Sequence, residues 1–482
     1  MEYIKGENRK ERIFFPSSIN DYISEDNPVQ FIDIFVESLD LKELGFNHSE
    51  LKKTGRPPYN PGDLLKLYIY GYLNRIRSSR RLEKESKRNI ELMWLLSKLT
   101  PDFKTIANFR KDNKESLKRV CKEFIMLCKK LELFGGETIA IDGSKFKAVN
   151  SKKRNFSKEK LKKRIKEIEK RVEEYLKELD ANDQEESEVK DLSAEELKII
   201  LEELKKRKDK YEELLQELED SGENQVSLTD KDARAMLNNQ KVEVCYNIQA
   251  AVDKKHKLIV EHEVTNEAND LNQLSDMSLK AKEVLGTEEI EVLADKGYHK
   301  GEELKKCEEN GIKTYVPRPK SKESKKNKEF SREKFKYDKE QDVYICPEGK
   351  ELSYVGTRRV KEKQMKVYKC FSCEDCKNKS KCINKSKNRI ISRWEHEELL
   401  EKLDERVKAN KSKVKERQGI IEHVFGTLKR NFNQGYFLMR GLTSVKAEIS
   451  LSVLVYNITR VLNILGVEKL INVLKEEAIM VN

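Results

Sequence analysis

Thr138-Ile139-Ala140-Ile141-Asp142-Gly143-Ser144-Lys145 is the stretch on which the fold turns: a short apolar, partly β-branched run that closes on an acid. A second run, Ile290-Glu291-Val292-Leu293-Ala294, closes on Asp295 and continues Lys296-Gly297-Tyr298. A third acid, Glu422, lies in a helix-like stretch, Arg417-Gln418-Gly419-Ile420-Ile421-Glu422-His423-Val424-Phe425-Gly426-Thr427-Leu428-Lys429-Arg430. Two strand-end carboxylates and one helical carboxylate can converge on a pair of divalent ions, because carboxylate oxygens suit hard cations such as Mg²⁺. Two such ions, about 3.5–4 Å apart, activate a hydroxyl and stabilise the leaving oxygen of an in-line displacement at phosphorus.

The chain has 482 residues, a length that suggests about three domains. Lys plus Arg is 98 against 86 Asp plus Glu, a net charge of +12 that suits a polyanionic partner. A lysine-rich composition matched by abundant Glu also fits a plain compositional bias, so charge alone does not decide the partner. The polar opening Met1 to Lys10 does not read as a secretory signal, and the apolar stretch Leu451 to Leu465 is interrupted by Asn457, Arg460 and Asn463. Nine cysteines, an odd number, argue against a disulfide framework and for a cytoplasmic protein with no membrane partner.

Residues 1–135 read as a helical N-terminal domain. Asn60-Pro61-Gly62-Asp63 starts one helix, Ser78 and Ser79 offer a cap for another, and Thr100-Pro101-Asp102 opens a long pattern through Leu131. Arg77, Arg80 and Arg81 cluster at one junction, as in a helix-turn-helix that meets DNA; a helical bundle with an exposed arginine corner fits the same pattern. Residues 136–156 begin an α/β core, which resumes over 221–318 and closes over 401–482. Its order of strands and helices suits an RNase H-like mixed sheet with flanking helices.

Two insertions interrupt that core. Residues 157–220 carry heptad seams, Leu161, Ile165, Ile168, Val172, Tyr175, Leu179 and then Leu197, Leu201, Leu204, Tyr211, Leu215, Leu218, the second headed by a capping box at Ser193. An antiparallel helical hairpin is expected, with an intermolecular coiled coil as the alternative. Residues 319–400 begin with a charged run from Lys320 to Lys328 and hold Cys346, Cys370, Cys373, Cys376 and Cys382. Four of these five suit a structural Zn²⁺ site; the bland reading is reduced thiols. Past Glu422 the mixture of Lys429, Arg430, Tyr436, Phe437, Leu438 and Arg440 suits either DNA contact or core.

The words Ala140-Ile141-Asp142-Gly143-Ser144-Lys145, Ala294-Asp295-Lys296-Gly297-Tyr298, Glu422-His423-Val424-Phe425-Gly426-Thr427-Leu428-Lys429 and Tyr456-Asn457-Ile458-Thr459-Arg460 resemble those of the bacterial insertion-sequence DDE transposases. The resemblance runs from about residue 10 to 465, with Gly55-Arg56-Pro57-Pro58-Tyr59 and Arg77-Ser78-Ser79-Arg80-Arg81-Leu82 matching the family's N-terminal domain, which implies that residues 1–135 form a DNA-binding domain. It implies an RNase H-like catalytic core with Asp142, Asp295 and Glu422 as ligands of Mg²⁺ or Mn²⁺. It further implies Lys429 and Arg417 as DNA contacts, although Arg417 lies five residues before Glu422 where related groups often place arginine four before. The implied activity is cleavage at the element's inverted-repeat ends and transfer of the 3′-hydroxyls to target DNA, by a homodimer or higher synaptic complex bound at the nucleoid. A DNA-binding protein without turnover and a metal-dependent nuclease without strand transfer stand as alternatives.

Overall fold

A computed structural model describes residues 18–50, 57–150, 154–184, 194–238, 240–319, 329–360, 363–383 and 386–481. The Met1 to Lys10 opening, Gly55-Arg56, Ser193 of the capping box, most of the polar link that follows Ala181 and the charged run 320–328 lie outside the described residues.

The described chain up to Lys130 is helical: α1 (Pro28–Glu37), α2 (Pro61–Leu73), α3 (Ser79–Ser86), α4 (Ile90–Leu95), α5 (Phe103–Asp112) and α6 (Lys114–Lys130). Asn60 starts α2 by accepting from the Gly62 amide at 2.8 Å, and Pro61 presets the first helical φ. Leu65, Leu67, Tyr68 and Ile69 bury α2 on nearly every side. Gly71 permits α3 to close on it, since a Cβ there would stand 2.6 Å from the Ile76 carbonyl oxygen and from Leu82 Cδ2.

Two local expectations are corrected. Ser78 occupies the cap position of α3, yet its side chain makes no capping bond. The long helix expected after Asp102 is broken at Asn113, whose Oδ1 accepts from the Asn47 amide at 2.7 Å while Nδ2 donates to the Phe109 carbonyl at 2.8 Å. Asparagine competes with helix backbone for its hydrogen bonds, and here the competitor wins.

The central sheet contains β1 (Thr138–Lys147), β4 (Arg234–Asn238), β5 (Lys241–Asp253), β6 (Ile259–Thr265), β7 (Ile290–Leu293) and β8 (Ile312–Tyr315). β5 runs antiparallel to β1 and to β6, whereas β7 runs parallel to β1 and β8 parallel to β7. β1 does not end at Asp142: pairing continues from Asp142↔Ala250 to Lys147↔Cys245. Helix α9 (Leu274–Leu285) connects β6 to β7, and α10 (Gly301–Glu309) connects β7 to β8. The Leu442–Leu465 helix packs on α2, α6 and β6. By length and composition it could cross a membrane, but 67% of its apolar window is buried within the protein.

The first insertion folds as α7 (Lys158–Gln184) and α8 (Ala194–Asp220), rooted on the paired strands β2 (Asn155–Ser157) and β3 (Gln225–Ser227). Lys162 faces Glu219 at 3.8 Å and Lys208 faces Glu169 at 2.9 Å, so the helices are antiparallel. Leu161, Ile168, Leu197, Leu201 and Leu204 are buried between them, in the chain's own hairpin. The second insertion contains a sheet that spacing did not reveal, with β9 (Lys336–Asp338), β10 (Val343–Ile345), β11 (Glu351–Val360), β12 (Lys363–Lys369) and β13 (Ile390–Trp394) paired in that spatial order.

Arg77 departs most from expectation. It is 5% exposed, with Nη1 donating to the Tyr436 carbonyl at 2.9 Å and to Glu448 at 3.2 Å, and Nη2 donating to the Asn433 carbonyl at 2.8 Å. A guanidinium engaged in this way has no face left for a phosphate, which corrects its reading as a DNA contact. Arg80 and Arg81 are exposed. Removing one partner of a buried ion pair costs about 3–5 kcal/mol, because the other charge is left unpaired. Arg77→Ala is therefore expected to lower the urea midpoint of unfolding strongly; a variant with wild-type stability but weakened DNA binding would restore the surface reading.

Candidate active site

The parallel pairing of β1 with β7 sets the two aspartates side by side. Ala140 is opposite Leu293, and Asp142 and Asp295 each follow that rung by two residues. Neighbouring strands are about 4.8 Å apart, and the charge of Asp295 does act on Asp142. Asp142 accepts from its neighbour's amide, Gly143, at 2.8 Å and from Arg417 Nη1 at 2.7 Å. Burial pushes the Asp142 carboxyl above the usual range, while the Arg417 guanidinium pulls it back. Asp295 begins a short 3₁₀ turn, Lys296–Tyr298, by accepting from the Gly297 amide at 2.6 Å.

Glu422 comes from the Lys411–Gly426 helix, which lies along β1. That helix buries Ile420, Ile421, Val424 and Phe425. Five residues past Arg417 places Glu422 about 140° around the helix, and it is exposed, with no hydrogen bond or ion pair among the described residues. The structure thus brings Asp142 to Arg417 and Asp295, and among the described residues no hydrogen bond or ion pair joins Glu422 to them. Among the described residues, no three His, Cys, Asp or Glu groups stand spaced to hold a metal ion as placed.

Lys429 lies in a π-helical turn, Thr427–Asn431, directly after that helix. Its Nζ donates to Ser144 Oγ at 2.7 Å and sits 4.7 Å from the Phe146 ring centre, and burial lowers its pKa. Ser144 is two residues from Asp142 and so on the same face of β1. Arg417 thus reaches Asp142 in the chain's own structure instead of lying open to solvent. Arg430 and Arg440 are exposed. His299 is half-buried, its pKa lowered by burial and by Arg318, and His423 meets the Tyr456 hydroxyl at 3.2 Å. Phe437 is core against Phe146 and Tyr246, while Tyr436 is exposed beneath the Arg77 guanidinium.

Sequence reading missed Asp270. Its Oδ1 accepts from Asn247 Nδ2 and Gln249 Nε2, each at 2.7 Å, and Lys145 Nζ lies 3.4 Å away. This carboxylate sits over Gly143, where a Cβ would come within 2.6 Å of Asp270 Oδ1. The buried Tyr298 hydroxyl donates to Gln249 Oε1, linking the Asp295 turn to the same network. The only signal was Asn269-Asp270 between a strand and a helix, which is also the ordinary composition of a turn.

Two family models match the chain: a transposase domain (DUF772) over residues 17–112 and a transposase DDE domain over residues 345–462. No curated protein and no solved structure matches it. The first match covers helices α1 to α5, and the second runs from β10 through Glu422, Lys429 and Tyr456-Asn457. A transposase domain is thus matched at each of two places, the second of them a DDE domain, and the two together support an insertion-sequence DDE transposase.

Proposed function

We propose that this chain cleaves phosphodiesters at the ends of its element and transfers the freed 3′-hydroxyls to target DNA, with Asp142, Asp295 and Glu422 as ligands of Mg²⁺ or Mn²⁺. The observation that carries this is that Asp142 and Asp295 each follow by two residues the last paired rung, Ala140 opposite Leu293, of two adjacent parallel strands. We read the core as RNase H-like. Support comes from the spatial order β6-β5-β1-β7-β8, antiparallel up to β1 and parallel beyond it. The limits 1–135, 136–156, 157–220, 221–318, 319–400 and 401–482 are proposed as its parts.

The donor set fits hard cations: carboxylate oxygens, with Glu422 uncommitted to any other group among the described residues. Bound divalent ions would supply nucleophile activation and charge neutralisation at the phosphate. The chain's own residues do the positioning. Arg417 holds Asp142 in place and offsets its charge. Lys429 presents an ammonium beside β1, two residues from Asp142. Arg430 and Arg440 are proposed to grip the DNA backbone near the cut, and Arg80 and Arg81 the element ends. DNA is the partner, a homodimer or higher synaptic complex the working form, and the nucleoid in the cytoplasm the place.

Asp142→Asn, Asp295→Asn and Glu422→Gln preserve shape and remove one charge each. Cleavage of labelled element ends with Mg²⁺ or Mn²⁺ is expected to fall roughly 100-fold or more, with end binding retained. Wild-type cleavage by any of the three sinks that residue's role; hydrolysis without joined products from the wild-type chain would favour a nuclease.

Asp270→Asn is expected to lower cleavage by roughly 10–100-fold, as for groups that orient ligands, and to raise the Mg²⁺ concentration for half-maximal rate. An unchanged Mg²⁺ dependence with a lowered melting temperature would leave Asp270 a purely structural residue.

Arg80→Ala with Arg81→Ala should weaken end binding and reduce the slope of log affinity against log salt by about 0.9 for each phosphate no longer neutralised. Fluorescence anisotropy over a salt series checks this, and an unchanged slope removes both residues from the interface.

A further inference from the structure

Cys346, Cys370, Cys373, Cys376 and Cys382 arrive from three separate places in the second sheet and line one small pocket. Cys346 follows β10, Cys370 to Cys376 follow β12, and Cys382 ends the one-turn helix Lys379–Cys382. The space they surround is about 20 Å³, the scale of a single water or ion. None of the five is in a disulfide.

The backbone around the thiols is arranged for sulfur acceptors. Lys350 N donates to Cys346 Sγ at 3.2 Å, and Arg389 N donates to Cys373 Sγ at 3.5 Å. The first of these belongs to a tight turn in which Gly349 N donates to the Cys346 carbonyl at 2.9 Å and Cys346 N to the Lys350 carbonyl at 2.8 Å. Gly349 closes it at φ +74°, a conformation that residues with a Cβ rarely adopt. The apolar core of this sheet is small, with Phe335, Tyr344, Leu352, Tyr368 and Ile391 around the cysteines. Modules with so little core commonly rely on a metal or a disulfide staple.

All five thiols are within mutual reach: Cys382 feels the charge of Cys373, Cys346 and Cys376, while Cys370 is hydrogen-bonded to Cys373, accepts from the Ser372 amide and feels Cys346. Cys370 and Cys373 are both buried in the same apolar cluster. We propose that four of Cys346, Cys370, Cys373, Cys376 and Cys382 bind one structural Zn²⁺ as a closed tetrahedral thiolate site. As placed, the sulfurs are not gathered on one point, so ligation takes side-chain rotations within the pocket. Four protein ligands leave no open position, and the site therefore serves the fold of the sheet and not phosphodiester chemistry. The assignment is independent of the reaction proposed above.

The test is elemental analysis of the full chain purified without added metal, together with visible absorption on titrating the metal-stripped chain with Co²⁺. One zinc per chain and the charge-transfer and d–d bands of a tetrahedral cobalt thiolate are expected. Zinc is expected to be lost in four of the five single Cys→Ser variants and to persist in the fifth. Absence of both zinc and cobalt bands in the wild-type chain overturns the site, whether or not the variants fold. Wild-type zinc content in two or more of the five variants overturns the four-thiolate site.

Discussion

Glu448 is a carboxylate with no solvent exposure, in the second turn of the Leu442–Leu465 helix. Placing an ionised group there costs several kcal/mol of lost hydration unless its oxygens are met by donors. Arg77 meets one side at 3.2 Å, and the amides of Leu438 and Met439 approach at 3.0 and 2.9 Å. Arg77 in turn binds the carbonyls of Asn433 and Tyr436, so this single ion pair fixes the α2–α3 junction, the 433–439 loop and the Leu442–Leu465 helix relative to one another. The same loop reaches β1, where Phe437 N donates to the Lys147 carbonyl at 2.8 Å. The N-terminal helices and the central sheet are thereby one packed body, and the strand that carries Asp142 is anchored through a residue 371 positions away from its partner.

Much of what makes the sequence words distinctive is packing around the two aspartates. Gly143 makes room for Gln249 and Asp270 above β1. Gly297 keeps clear of Asp295, since a Cβ there would stand 2.8 Å from Oδ1, and Tyr298 is buried so that its hydroxyl can hold Gln249. Further along, Asn457 brackets Ile259 with two bonds of 2.9 Å, Tyr456 donates to the Lys257 carbonyl at 2.8 Å, and Arg460 donates to that of His256. Tyr456, Asn457 and Arg460 thus clamp the β5–β6 hairpin to the long helix. Such residues act on chemistry only through the strands they hold.

Periodicity made the helical N-terminal region, the β5–β6 hairpin, the α7–α8 seams and the positions of Asp142 and Asp295 legible, because each rests on local apolar spacing. What stayed hidden depends on partners distant in sequence. Arg77 looked like a surface charge because its counter-ion, Glu448, lies 371 positions away, where no local pattern pairs the two. The continuation of β1 beyond Asp142 is paid for by pairing with β5, which no local pattern announces. The sheet β9 to β13 has two three-residue strands among its five, too short for alternation to register. Asp270 was invisible for the opposite reason: Asn-Asp is so common in turns that its composition carries no further information.

The charge arrangement at the site has its own logic. Asp142 is three-quarters covered, and burial alone would favour its neutral form; the adjoining Asp295 adds to that bias. Arg417, itself 14% exposed, opposes both at 2.7 Å. Arg417 thereby opposes the burial that raises the Asp142 pKa and supports the charged form that a cation would engage. The arginine also sets a threshold, because any cation that engages Asp142 must either share the carboxylate with a guanidinium or displace it. A phosphate arriving at the same place offers Arg417 an alternative partner of the same sign and a matching bidentate geometry. In the reaction proposed above, substrate entry and release of Asp142 would be coupled by that exchange, with the arginine at the point where DNA binding and cation binding would meet.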